Sequence, residues 1–600
     1  MSEQSEHAEH GRDKISWLSA RASRRRLLRV GIGVGATISA AGLLAACGGG
    51  AASSPTTTSQ STQTSASTTT TSSGTGASTP APVIAATPPP SAGASPQAGG
   101  ELFYGLTNKF DTLDPNITTF SDVIRMANHM FDPLVSQAQA GQFTPWLAQK
   151  WEVSTKADQY TFTLRTDVKF HDGTPFDATA VKFTFDRIVD PNNKSQSAFS
   201  AIGPYDSSQV VDPATVVVKF KDGYAPFLDS CSQTTLAPVS PSAVQKLGKD
   251  FGNQPVGTGP FKFDSYKTDN LVRMVKNPDY NWAPSRFKHQ GAPYLDAISF
   301  QIISEAETRL AALRSGQVQF MQDVPTQDYK AVKGDSSLQV LEGVMTGSGW
   351  TMMINVTKPP VDDVQVRTAL EWGIDKAGMI KSIWQGLYQP SSSPLTSPTF
   401  GYDPATRNVY SYDATKAGQI LDAAGWKMGS GGVRQKNGQD LTLGVYYRSD
   451  NTDFSNMATF LQAMYQQIGV KLDLHGLAQA GYFNAVRAGE HHLQFWWEPA
   501  TDPDVVRVLF HSANADGGTN RNRYKNAEMD KLIDDAAATT DPNQRKTLYS
   551  QIQMKSLNEA IMVYCSEPTN VFAYQKSKLA GPILDFSATN PFFYDAWLIK

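Results

Sequence analysis

Residues 48–100 are built from Ser, Thr, Ala, Gly and Pro with a few Gln, one Val and one Ile, and carry no charged side chain. Such a segment cannot bury enough apolar surface to offset the entropy of ordering its backbone, so it reads as a disordered tether. As a flexible coil its root-mean-square reach is roughly 40 Å. The tether divides the chain into a short leader and residues 101–600, which must supply the whole fold. Five hundred residues with aromatics throughout suffice for a large core and at least two domains.

The leader explains why a tether is needed. Ser23-Arg24-Arg25-Arg26-Leu27-Leu28-Arg29 resembles a twin-arginine export signal, and the apolar run 30–46 that follows ends in Leu44-Ala45-Ala46-Cys47, similar to a lipoprotein cleavage box. The run holds 17 residues, four of them Gly. A stable transmembrane helix needs roughly 20 strongly apolar residues. The expectation is therefore a signal peptide over 1–46, cleavage before Cys47, acylation of its thiol, and residues 47–100 linking the body to the outer face of the cytoplasmic membrane.

Removing residues 1–46 leaves 46 basic and 52 acidic residues, a net charge of −6. That balance argues against nucleic acid as a partner. Cys231 and Cys565 are the remaining cysteines. Export permits a disulfide between them, whereas folding in the reducing cytoplasm before twin-arginine export favours two buried thiols, and both remain open.

The body reads as mixed α/β. Tyr160-Thr161-Phe162-Thr163-Leu164-Arg165 alternates like a half-buried strand, Val216-Val217-Val218-Lys219-Phe220 is a second β-rich run, and 442–447 is a third. Asp177 caps a helix whose core side is Phe183, Phe185 and Ile188. Residues 308–315, 364–386, 412–424, 456–468 and 526–538 carry helical periodicity.

Pro145-Trp146-Leu147-Ala148, Trp151-Glu152-Val153, the 160–165 strand and Val168-Lys169-Phe170-His171-Asp172-Gly173-Thr174-Pro175-Phe176 together resemble the extracellular solute-binding proteins, family 5, of peptide-type ABC importers. Val256-Gly257-Thr258-Gly259-Pro260-Phe261, Asn277-Pro278-Asp279-Tyr280, Val366-Arg367-Thr368-Ala369-Leu370, Ala423-Ala424-Gly425-Trp426 and Asp502-Pro503-Asp504 extend the likeness in order across 101–600. Most of these residues have scaffold roles. The Gly173 and Gly257 to Gly259 pieces read as turns in which Gly takes positive φ, and Asp502-Pro503 reads as a helix start.

The resemblance implies an α/β, two-lobed periplasmic-binding-protein-like fold of the large class, with an extra subdomain in the first lobe and a ligand cleft between lobes. Lobe I would comprise 101–303 plus 563–600, and lobe II 304–562, the crossings falling near 302–305 and 561–565. The implied function is capture of an extracellular solute by hinge closure and its delivery to an ABC permease and ATPase complex. The receptor would be a monomer, would need no cofactor and would not be an enzyme.

Peptide binders of this family hold the ligand's amino terminus with an Asp three residues before the acidic-Pro pair; here that position is Pro499, and Glu498 is one residue off. Glu498 and Asp502 are therefore candidate ligand contacts, together with Trp496, Trp350, Asn355 and the stretch Thr119-Phe120-Ser121 after Leu113-Asp114-Pro115. Peptide and oligosaccharide ligands both remain open, the first from the resemblance and the second from the tryptophans and the missing Asp. A lipid-anchored hydrolase is the rival from another class. Ser285-Arg286-Phe287-Lys288 and Ser449-Asp450-Asn451 match two penicillin-interacting motifs, but Lys-Thr-Gly is absent and Ser285 follows Pro284 in an irregular stretch. The adjacent His491 and His492 would point apart on a strand, so no metal site is expected.

Overall fold

The computed structural model describes residues 95–267 and 271–600. The export signal, Cys47 and the tether to residue 94 lie outside the described residues.

Three sheets organise the body. The first has seven strands in the order Leu338–Val344, Thr569–Gln575, Phe320–Met321, Glu101–Leu106, Ala297–Ile302, Leu271–Lys276 and Phe261–Lys267. A four-stranded antiparallel sheet is formed by Ala148–Val153, Gln159–Leu164, Thr215–Phe220 and Tyr205–Asp212. In Gln159–Leu164 the inward positions Tyr160, Phe162 and Leu164 are buried and the others are not, the alternation read from sequence. Asp177 caps Ala178–Val189 by accepting from the Thr179 and Ala180 amides.

The six-stranded sheet runs Gln389–Pro390, Met562–Glu567, Gly347–Ile354, Leu493–Pro499, Thr442–Arg448 and Lys471–Leu477. Its two faces are packed by separate apolar clusters, one containing Trp350, Phe454 and Phe495, the other Met353, Tyr549 and Tyr564. Gly347–Ile354 is consequently buried along its whole length.

The crossings between sheets differ from those expected. Beyond residue 302 the chain forms the helix Ala306–Ser315 and returns to the same sheet as Phe320–Met321, parallel to Glu101–Leu106. Arg309 pins this crossover, donating to the carbonyls of Ile303, Gln322 and Asp323. The chain leaves the seven-stranded sheet only after Val344 and re-enters it at Thr569. Residues 345–346 and Pro568 are the whole connection, and the Met345 amide donates to the Pro568 carbonyl at 2.9 Å.

Two smaller expectations are also corrected. Gly173 has φ +85°, but Gly257 and Gly259 do not have positive φ; a Cβ on either would collide with the Met130 backbone, at 2.1 and 2.5 Å. Their need for Gly is close approach. The helix expected at Asp502 begins at Val505, and Asp502 accepts from the Asp504 amide in the turn before it. Cys231 and Cys565 are buried free thiols.

Candidate functional site

A cavity of about 320 Å³ opens beside the crossing at 345–346. Its walls come from 118–121, from Ser232 to Thr235, from the C-terminal stretch around Asp585 to Phe592, and from Trp146 and Arg286. The far side is closed by Met345, Thr346, Pro499, Ala500 and Thr501. Residues 499–501, within the stretch that forms the six-stranded sheet, and segments before and after that stretch therefore border one space.

The 118–121 wall is held from behind. Arg187 pairs with Asp114 and donates to Asn116 Oδ1, while the Asn116 amide donates to the Thr235 carbonyl at 2.9 Å. Thr118 Oγ1 accepts from the Phe120 amide, which turns the chain into the helix Ser121–Ala127. Phe120 remains 42% exposed, a large apolar side chain at the rim. Arg125, one turn into the helix, pairs with Asp122 and donates through Nε to the Thr589 carbonyl, fixing the C-terminal stretch against the helix.

The electrostatics of the wall are uneven. Asp585 spends both carboxylate oxygens on its own turn, accepting from the Thr589 and Asn590 amides and from the Asn590 side chain. Arg286 lies across the Phe592 ring at 3.9 Å, with Phe287 at 5.0 Å and Trp146 at 5.8 Å. Its Nε and Nη2 are closed off from solvent and have no hydrogen-bond partner. Burial lowers its pKa to about 10.

A latch closes one end of the cleft. The Thr501 hydroxyl donates to Asp229 Oδ2, and Gln233 Nε2 donates both to that carboxylate, at 2.9 Å, and to Thr501 Oγ1, at 2.7 Å. Behind it lies a second cavity of about 220 Å³ bordered by Asp229, Thr501, Asp502 and Arg545.

The residues singled out from sequence separate into groups. Thr119, Phe120 and Ser121 line the main cavity. Trp350 does not: it is buried in the core, stacked on Trp497 at 4.8 Å and edge-on to Phe454. Asn355 is buried beyond the end of Gly347–Ile354, where its amide donates to the Gly489 and His491 carbonyls. Asp502 accepts two bonds from Arg545, at 2.8 and 2.9 Å, so its charge is spent on an ion pair.

Trp496 and Glu498 lie on one side of their strand and bind each other, Trp496 Nε1 donating to Glu498 Oε2 at 2.7 Å. Arg521 covers the Trp496 ring at 3.5 Å. Burial raises the Glu498 pKa. Pro499, not Glu498, reaches the main cavity, so no carboxylate takes the expected amine-clamp position. Arg286, Arg125, Asp585 and Thr501 escaped sequence reading; the one local signal was an arginine set among Trp282, Pro284 and Phe287. His491 and His492 precede the strand Leu493–Pro499, and their rings go to different partners: His491 Nε2 contacts the Arg521 carbonyl while His492 Nδ1 accepts from the Gly444 amide.

Residues 142–520 match the family described as bacterial extracellular solute-binding proteins, family 5 Middle. Heme-binding protein A of Haemophilus influenzae is 30% identical over 477 residues, covering 76% of this chain and 83% of that protein. Di/tripeptide-binding protein 1 of Pseudomonas aeruginosa is 30% identical over 462 residues, covering 73% and 83%. HbpA2 from Haemophilus parasuis has a TM-score of 0.73 at 24% identity, spanning 84% of this chain and 100% of that one. The oligopeptide-binding protein AppA from Bacillus subtilis, solved in complex with a nonapeptide, has a TM-score of 0.68 at 24% identity, with coverage of 84% and 100%. The fold is thus that of the peptide-type periplasmic binding proteins, and the relatives are solute-binding proteins rather than enzymes. On the family match across 142–520 and the two relatives at 30% identity, this chain belongs to the bacterial extracellular solute-binding proteins, family 5.

Proposed function

We propose that the protein captures a small peptide-type solute in the 320 Å³ cavity and presents it, lobes closed, to an ABC permease and its ATPase. One observation carries this reading: residues 499–501, within the 347–567 stretch, and residues from the chain on either side of that stretch border a single cavity beside a connection of only two short segments. In it lobe I is 101–344 with 569–600 and lobe II is 347–567, a division that the sheet pairings support. Residues 345–346 and Pro568 are the hinge, a few backbone positions that absorb closure while each sheet moves as a body.

Within this proposal Thr119, Phe120, Ser121 and Thr501 contact the ligand. Trp350, Asn355 and Asp502 hold the scaffold, and Trp496 with Glu498 supports the strand that delivers Pro499. The di/tripeptide-binding relative and the peptide-bound neighbour favour a peptide. The tryptophans that argued for an oligosaccharide are occupied by one another and by Arg521. The protein works as a monomer, exported through its twin-arginine signal and anchored by acylated Cys47, with the uncharged tether setting its reach.

Thermal-shift screening against di-, tri- and oligopeptides and against oligosaccharides tests the reading. A native-state ligand at 100 times its Kd stabilises by about 2.7 kcal/mol, which raises the melting temperature measurably. A shift with peptides supports the proposal; a shift with neutral sugars alone refutes the ligand class. Labelling of Cys47 with radioactive palmitate in cells, abolished by Cys47→Ala, tests the anchor.

A further inference from the structure

We infer that Arg286 is the recognition point for a carboxylate on the ligand, so that the cavity selects solutes bearing a free acid end. The inference rests on the ligand-binding reading above and adds to it the chemical group that is read.

A guanidinium carries five N–H donors in a planar fork and is rarely left buried without an acceptor, because losing water without a replacement partner is costly. Arg125, the other arginine bordering the cavity, is spent, as are two arginines near it. Arg125 has Asp122 and the Thr589 carbonyl, Arg187 has Asp114 and Asn116, and Arg545 has both oxygens of Asp502. Arg286 has three aromatic faces and no acceptor for Nε or Nη2.

The one acid bordering the same cavity does not satisfy it, since Asp585 is turned onto the amides of its own loop. The three rings fix the guanidinium on the wall of the cavity, a cation positioned before ligand arrives. Asn128 adds a second donor on the same wall, its Nδ2 buried without a partner while its Oδ1 accepts from Thr234. Trp146 Nε1 is a third, and all three unsatisfied groups on this wall are donors, so the ligand must bring acceptors. The opposite lobe offers Pro499 where an amine-binding carboxylate was expected, so recognition shifts from the amine end of a ligand to its acid end.

Isothermal titration of the purified protein with trialanine, trialanine C-terminal amide, N-acetyl-trialanine, trigalacturonate and maltotriose separates the outcomes. The expected result is that the amide binds at least tenfold more weakly than the free acid, about 1.4 kcal/mol, while acetylation changes Kd less than threefold. Arg286→Met should erase the acid preference, and Arg286→Lys, which keeps charge and stem, should retain a reduced one. Binding of trigalacturonate but of no peptide, lost in Arg286→Met, would sustain carboxylate recognition while refuting the peptide reading. Equal affinity for acid and amide would overturn the inference and leave the peptide reading standing. So would an acid preference that survives Arg286→Met. Failure of all five to bind would overturn both.

Discussion

Replacing Asp229 by Asn should flatten the pH dependence of cleft closure. Asp229 is 3% exposed and takes the Thr501 hydroxyl from the opposite lobe, with Oδ1 left unpartnered. Burial, and then the nearby Asp502 carboxylate, pushes its pKa up from an ordinary 3.8 to about 7. Opening the latch exposes the group and returns it toward the ordinary value. The raised value belongs to the closed form, so closure carries no penalty below about pH 4, loses stability as pH rises, and carries the full penalty above about pH 7. Between pH 5 and pH 8 the linkage amounts to at most about 80-fold in the closing equilibrium, or about 2.6 kcal/mol, if opening exposes the carboxylate fully. Asp504, raised to about 6 by burial, titrates in the same window but is held by Arg507 within lobe II. The difference between wild type and Asp229→Asn therefore isolates the latch. Small-angle scattering of the ligand-free protein at pH 5, 6, 7 and 8 reads the closed fraction directly. A wild-type protein that closes more at pH 8 than at pH 5, or an Asp229→Asn variant with an unchanged profile, would refute the reasoning.

Removing one partner of the buried Asp502–Arg545 pair leaves the other charge uncompensated, so Asp502→Ala should cost about 3–5 kcal/mol in urea unfolding. The Asp502→Leu, Arg545→Met double variant should recover much of that, and a double variant less stable than either single one would contradict it. Trp350→Ala should destabilise by about 3–5 kcal/mol and leave ligand affinity, measured well below the melting temperature, within twofold; a selective loss of binding would return Trp350 to the cleft. A chain beginning at residue 95 should bind ligand as the full chain does, because everything that borders the cavity follows that residue; weakened affinity in the shortened protein would show that the leader or tether contributes.

Which side of a strand faces ligand was the part least legible in the sequence, and the reason is visible at Gly347–Ile354. Alternation separates core from surface only when one face meets water; here both faces are buried, so no position of that strand was distinguished by its pattern. Trp350 could therefore be offered as a cleft candidate although its place is the core. Thr119, Phe120 and Ser121 were easier, because their placement follows from a local turn, the Thr118–Phe120 bond before a helix, which neighbouring residues specify. The crossings illustrate the opposite limit. Ala306–Ser315 looked like a departure to the next lobe, and only its return beside Glu101–Leu106, a pairing more than 200 residues apart in sequence, makes it a crossover within one sheet. Arg286 is the extreme case. Its sequence neighbours made it an ordinary loop arginine, and the rings that pack on its guanidinium, leaving Nε and Nη2 without water or acceptor, include Trp146 and Phe592, contributed from far along the chain in both directions. A scaffold must satisfy its own polar groups, so its residues advertise themselves through local caps and turns. A binding residue is left unsatisfied until ligand arrives, and that deficit exists only once distant segments have closed around it.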